Sequence, residues 1–148
     1  MNCKPSERAA LLAAIDPDVT TASTVNSGWV DASKFHTLMA VVMAGTLGTS
    51  ATVDAKLEQA TSAAGAGAKD ISGAAITQLT EAGTDSDKQA LINLRTDELD
   101  VDGGFSFVRL SITVGTATSD AAGLLWGFDP RFGPASDFDA ATVAEIAN

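Results

Sequence analysis

The 148-residue sequence contains no tyrosine, one cysteine and one histidine, and aromatic residues make up only 5% of it. The lone Cys3 cannot form an intramolecular disulfide, and no CxxC motif or Cys/His cluster is present for zinc. His36 lies in the most hydrophobic segment, where we interpret it as a buried or interface residue. These residues do not indicate a Ser-His-Asp or Cys-His constellation. We therefore predict that the chain is not an enzyme and uses no cofactor and no metal.

Positive charge is also scarce. Nine Lys and Arg residues stand against nineteen Asp and Glu, which gives a net charge of −10. Such a surface repels phosphate, and the basic residues are scattered, so we predict no nucleic-acid partner. No apolar run approaches the roughly 18–20 residues that span a membrane, and residues 1–17 make a poor signal peptide. We expect a protein made in a reducing cytoplasm, neither secreted nor membrane-bound.

The apolar residues that are present follow a strand pattern. Residues 51–58 alternate strictly between apolar and polar, which predicts a half-buried antiparallel strand. Residues 35–43 are apolar on both faces, which favours a central strand covered on both sides. Further strands are predicted at residues 70–79, 88–95, 105–114 and 121–128. Short strands joined by Gly- and Thr-rich turns, without long helices between them, predict an all-β antiparallel β-sandwich of jelly-roll-like form.

Both ends of the chain depart from this pattern. We assign residues 1–27 to an N-terminal segment or arm, residues 28–128 to the β-sandwich domain, and residues 129–148 to an extended C-terminal tail. In the first segment, residues 6–15 fit a short helix or an edge strand equally well. The tail contains Pro130 and Pro134, which cannot continue a central strand. Its end has the composition for a short helix over residues 140–146 capped by Asp139.

Two short motifs resemble ligand sites, but each lacks a residue that the site requires. Residues 98–103 alternate carboxylates before a glycine, as a calcium loop does, but the twelfth position would be Arg109 instead of a bidentate Glu. Residues 65–70 begin like GxGxxG, but Asp70 occupies the last glycine position and no strand-helix unit surrounds them. We interpret the first as a solvated turn and the second as a surface loop.

A set of segments, taken in order and spacing, resembles a group of small structural proteins encoded beside the capsid and head genes of tailed bacteriophages and prophages. The segments lie within residues 28–136 and are residues 28–31, 35–60, 70–73, 92–95, 107–109 and 113–116. The resemblance implies a sandwich subunit made in the host cytoplasm and incorporated into the virion as a head decoration, or cement, protein. Its partners would be the major capsid protein and other copies of itself. It implies no catalytic residue.

Four residues are our candidates for the assembly interface. Trp126 and Phe128 belong to an apolar run that offers more surface than a small sandwich covers, although a place in the core also suits them. Arg131 and Phe132 lie in the Pro-containing segment 129–136, which we interpret as a docking arm because Arg and aromatic residues are common interface anchors. Two other functions stay open: a structural component of the neck or tail, and a surface carbohydrate-binding module.

Overall fold

A computed structural model describes residues 2–147, which contain ten β-strands and one turn of α-helix. The elements are α1 (Pro5–Arg8), β1 (Ala9–Thr20), β2 (Thr24–Asn26), β3 (Val30–Asp31), β4 (Phe35–Ala44), β5 (Thr52–Ala60), β6 (Lys69–Ala75), β7 (Leu79–Thr80), β8 (Gln89–Arg95), β9 (Phe107–Gly115) and β10 (Ser119–Pro130). Single 3₁₀ turns occupy Ala32–Lys34, Thr96–Glu98 and Ala135–Phe138.

The strands form two antiparallel sheets packed face to face, so the predicted β-sandwich is confirmed. One sheet has the order β1-β10-β4-β8, and the other has the order β2-β9-β5-β6, with β3 also on β9 and β7 also on β5. If β2 with β3, and β6 with β7, each count as one position, the eight positions run 1-8-3-6 and 2-7-4-5. This is the order of a jelly roll, in which two Greek keys wrap around one core.

The core between the sheets is built from aliphatic side chains. β5 alternates as predicted, with Val53, Ala55 and Leu57 buried. β9, which pairs with β5 in the same sheet, contributes the next core residues, and β4 and β10 of the other sheet contribute the residues that face them. Together these residues are Leu38, Ala40, Val42, Val108, Leu110, Ile112, Val114 and Leu125. Because these positions repeat every second residue, one face of each strand enters the core and the other faces outward.

The N-terminal residues are part of the sandwich, which begins at Ala9 and not at Gly28. Residues 6–15 were predicted as a short helix or an edge strand, and they contain part of each: the helical turn α1 leads directly into β1. β1 pairs with β10 and continues through Pro17. The ladder shifts register between Ile15 and Asp18, and β1 is an edge strand, so the missing proline N–H breaks no regular pairing there.

The C-terminal tail packs against the sandwich. Ala135 is fully buried, and Phe138 meets Phe35 edge to face with ring centroids 5.5 Å apart. The predicted helix over residues 140–146 is wrong, because that segment has no helical structure. Asp139 does not cap a helix. Its carboxylate accepts a hydrogen bond from the Leu11 N–H (2.9 Å), and the Ala140 N–H donates to the Leu11 carbonyl (2.8 Å).

Candidate assembly surface

The outward face of the sheet β1-β10-β4-β8 is mainly apolar, with Arg95 at the end of β8 on the same side. Its ladders place Leu11, Trp126, Met39 and Asn93 side by side in one row across the sheet. The next row contains Ala14, Leu124, Val41 and Leu91 in the same way. We call this surface the apolar face, and define it by Leu11, Ala14, Met39, Val41, Met43, Leu91, Ala122, Leu124, Trp126 and Phe128.

Alternation along the strands produces this face. In β10 the residues Ala121 and Leu125 point into the core, so Leu124, Trp126 and Phe128 point outward and are only half-buried. In β4 the outward residues Met39 and Val41 are half-buried as well. β4 is a central strand, as predicted, but the prediction that it is covered on both sides is wrong.

The apolar face is partly covered by the tail and by α1. Near its β1 side, Val143 and Ile146 of the tail line a shallow cavity of about 290 Å³ together with Leu11 and Trp126. Pro5 and Arg8 of α1 line a second cavity with Thr37 and Phe128. Leu91, at the far edge of the sheet, is 58% exposed. A partly exposed apolar surface is typical of a protein interaction site.

The outward face of the opposite sheet is polar and saturated with ion pairs. Lys56 Nζ lies 2.6 Å from Asp70 Oδ1, and Arg109 Nε donates to Glu58 Oε2 at 2.6 Å. The bond to Asp70 is the main reason that the pKa of Lys56 is raised above its ordinary value. The two faces of the sandwich therefore differ in kind: one is suited to water and the other to contact with another apolar surface.

The four candidate residues fall into two pairs. Trp126 and Phe128 lie outside the core on the apolar face, so the core interpretation does not hold for them. Arg131 and Phe132 lie beyond the end of β10. Arg131 is tied to the sandwich, since Nε donates to the Phe35 carbonyl and Nη2 donates to Thr96 Oγ1, each at 3.1 Å. Phe132 is 62% exposed.

Sequence reasoning missed part of this surface. Leu11 and Ala14 were not recognised because β1 was not assigned as a strand. Met39 and Val41 were noticed as one side of a two-sided apolar strand, and that two-sided pattern was the signal that marked the surface. The alternation within 124–128 carried the same signal for Leu124.

The side chains with potential chemistry are His36, Cys3 and the carboxylates of the acidic turn. His36 is exposed, so a buried position for it is wrong, and Cys3 is exposed as well. Among residues 2–147 no three His, Cys, Asp or Glu side chains converge as a metal site would require. In the acidic turn, Lys69 Nζ and the Gly103 N–H donate to the Asp100 carboxylate, and the bond from Lys69 is the larger reason that its pKa is lowered.

The glycine-rich loop packs on an aromatic side chain. A Cβ at Gly65 would lie 2.6 Å from Trp29 Nε1, so this glycine contacts the indole closely. The Arg109 guanidinium stacks on the same ring at 4.6 Å from its centroid. These contacts account for the loop without a nucleotide. The described residues also include no helix with the length and apolar character needed to cross a membrane.

The fold defines the chain as a jelly-roll β-sandwich, a class that includes viral capsid domains, lectin domains and cupins. No protein-family model matches the sequence. No curated protein matches it either. Among solved structures, the chain is similar to "Structure of infectious bursal disease virus Gt strain", with 12% identity and a TM-score of 0.44 over 90% of this chain and 35% of that chain. The Gx strain structure of the same virus gives 13% identity and a TM-score of 0.40 over 90% and 36%. The chain spans about a third of those proteins, and at these TM-scores the likeness does not bear on function.

Proposed function

We propose that this chain is a non-catalytic structural subunit of a tailed-phage virion, a head decoration protein that binds the outer surface of the capsid and stabilises it. The observation that carries the proposal is the apolar face, a half-open hydrophobic surface on an otherwise polar and negatively charged molecule. The resemblance of residues 28–136 to phage head proteins points to the major capsid protein as the partner that covers it.

The physics of the molecule suits this role. Decoration by many copies requires shape, apolar contact and solubility, and no reactive centre. The net charge of −10 keeps free subunits soluble and off the genome. Because the apolar face lies on one side of the subunit, contact through it would give every copy the same orientation on the capsid.

The other two functions have less support from the site. A neck or tail position would use the same surface, and locating the protein in particles by imaging distinguishes it from the head. A carbohydrate-binding module needs exposed aromatic platforms. Trp29 is covered by Gly65 and Arg109, and Trp126 lies within a sheet face beside Leu11 and Met39.

The test is a binding experiment on capsids that lack the protein. Purified wild-type subunit should co-sediment with them and raise their melting temperature. Trp126→Ala should weaken binding at least tenfold, because large aromatic side chains at the centre of an interface carry about 2 kcal/mol or more of binding energy. Val101→Ala is the matched control, since Val101 is 63% exposed on a turn outside the apolar face.

Folding is checked on the same variants. Trp126→Ala should cost about 1.5–3 kcal/mol of unfolding free energy, because the side chain is partly buried on the outer face of the sheet. Leu125→Ala, its fully buried neighbour, should cost about 2–5 kcal/mol. Capsids that melt unchanged with the wild-type subunit, or a Trp126→Ala subunit that binds as tightly, would refute the proposal.

A further inference from the structure

Three of the four outer edges of the sandwich are protected against pairing with another strand. The tail covers part of the β1 edge through its two hydrogen bonds to Leu11. β6 is irregular, with Gly73 at φ +78° and a register shift opposite it, and β2 and β3 are only 3 and 2 residues long. β8 differs from these edges: it has seven residues paired with β4 in unbroken register, and no strand of residues 2–147 pairs with its other side. Such an edge is a template for strand addition.

The backbone groups that β8 leaves free are known from its ladder. The Ala44 N–H donates to the Lys88 carbonyl, so the even-numbered residues of β8 bond to β4. Because antiparallel ladders alternate, the N–H and C=O groups of Gln89, Leu91 and Asn93 point away from the sheet.

Side chains close the row at both ends. The Gln89 side-chain amide donates to the Asp87 carbonyl at 3.1 Å, and the Arg95 N–H donates to Glu98 Oε2 at 2.8 Å. The open part of the edge is therefore a window of three residues with Leu91 at its centre. Its pattern of donors and acceptors is unchanged by a half-turn about Leu91, which makes it complementary to itself.

We propose that the β8 edge pairs with the β8 edge of a second copy of this chain, antiparallel and about a twofold axis at Leu91. Leu91 then faces Leu91 of the second copy, and Gln89 faces Asn93. Each of these pairs exchanges two backbone hydrogen bonds, about six in all. All the free backbone groups of Gln89, Leu91 and Asn93 are then bonded, and the capped groups at residues 87 and 95 lie just outside this window.

The side chains agree with the same register. No charged residue lies within residues 89–93, so no like charges meet across the axis. Moving the twofold axis by one residue, to Ile92, would oppose Gln89 to Arg95. The backbone groups at the axis would then be those already bonded to β4.

The inference concerns the free protein and does not require that it bind a capsid. The mass of the subunit in solution, measured by light scattering after size exclusion, tests it. The wild-type protein should have twice the 15.0 kDa mass of one chain. Leu91→Lys and Leu91→Glu should each be monomeric, because each places two like charges directly opposite one another. An equimolar mixture of the two variants should recover the dimer, since Lys then faces Glu.

Val19→Lys is the control for an added charge on an exposed apolar residue. Val19 is 68% exposed on β1 at the opposite edge of the same sheet, and its variant should remain dimeric. Circular dichroism of each variant checks that the sandwich is folded. A monomeric wild type, a dimeric Leu91→Lys variant, or a mixture that stays monomeric would each overturn the inference.

Discussion

At the scale of single residues, glycine decides where the loop after β5 lies. Gly65 has φ +80°, a conformation that favours glycine, and its Cα hydrogen occupies the place where a Cβ would strike Trp29. Gly104 has the same φ of +80°, but a Cβ there meets no atom within 4 Å. Alanine substitutions at these two positions therefore separate two destabilising effects: the strain of a positive φ, which both share, and the steric clash with Trp29, which occurs only at Gly65.

We predict that Gly104→Ala lowers the free energy of unfolding by about 1 kcal/mol, from the backbone alone. Gly65→Ala should lower it by about 2–4 kcal/mol, because the clash with Trp29 adds to the backbone cost. Urea unfolding of both variants measures the difference. Equal losses would show that the loop gives way and that Trp29 does not hold it.

Arg131 and Phe132 are adjacent in sequence and differ in what they contact. The Arg131 guanidinium binds the Phe35 carbonyl and Thr96 Oγ1 and so fastens the end of β10 to the start of β4. Phe132 is exposed, with Lys34 Nζ 5.8 Å from its ring centroid. We had expected both to be docking residues, and the structure gives Arg131 a structural role in addition.

We predict that Arg131→Ala lowers the free energy of unfolding by about 1 kcal/mol, because two hydrogen bonds to the sandwich are lost. Phe132→Ala should change it by less than about 0.5 kcal/mol, as is usual for an exposed side chain. Thermal melting of the two variants provides the comparison. If Phe132→Ala leaves the melting temperature unchanged and still weakens capsid binding, Phe132 is the residue through which segment 129–136 contacts the capsid. Equal stability of Arg131→Ala and wild type would show that the two bonds contribute nothing.

At the scale of elements, the strands that are best predicted from sequence are those with one buried face and one solvent-exposed polar face. In β5 the apolar residues alternate with charged ones, and the exposed sides of the strand carry ion pairs that require water. That pattern has one interpretation, so the register could be predicted to the residue. β8 and β9 follow the same logic.

β1 could not be predicted in the same way, for a physical reason. Leu11 and Leu12 face opposite directions across a register shift, and Asp16 and Pro17 occupy a second shift, so the period of two is lost twice in one strand. An edge strand tolerates such irregularity because only one side of it must bond. Its identity depends on pairing with β10, more than 100 residues away, and no local pattern contains that information.

The candidate surface was predictable in part for a related reason. An apolar outer face and a buried inner face look alike in sequence. The prediction that β4 lies at the centre of a sheet was therefore correct, and the prediction that both of its faces are covered was wrong. Which face is buried depends on where the second sheet lies. The structure resolves this by placing Leu38, Ala40 and Val42 in the core and leaving Met39 and Val41 outside.

At the scale of the whole molecule, the two proposals combine. In an antiparallel pairing of β8 with β8, the side chains opposite one another lie on the same side of the joined sheet. The apolar faces of the two copies would therefore become one continuous surface, with Leu91 of each copy at the junction. The charged faces would remain together on the opposite side. A dimer of this form presents two contact surfaces to a capsid in a fixed geometry.

Two linked contact surfaces bind more tightly than one, because the second binding event takes place at high effective concentration. We predict that the monomeric Leu91→Lys variant binds capsids about 100-fold or more weakly than the wild-type dimer. An equimolar mixture of Leu91→Lys and Leu91→Glu should recover most of the affinity, although both substitutions remain in it. The mixture separates the loss of the dimer from the loss of one leucine at the edge of the apolar face, and binding isotherms on capsids lacking the protein provide the measurement. If Leu91→Lys binds as tightly as wild type while Trp126→Ala does not, each copy docks alone through its own apolar face. The dimer would then serve another purpose than holding the capsid.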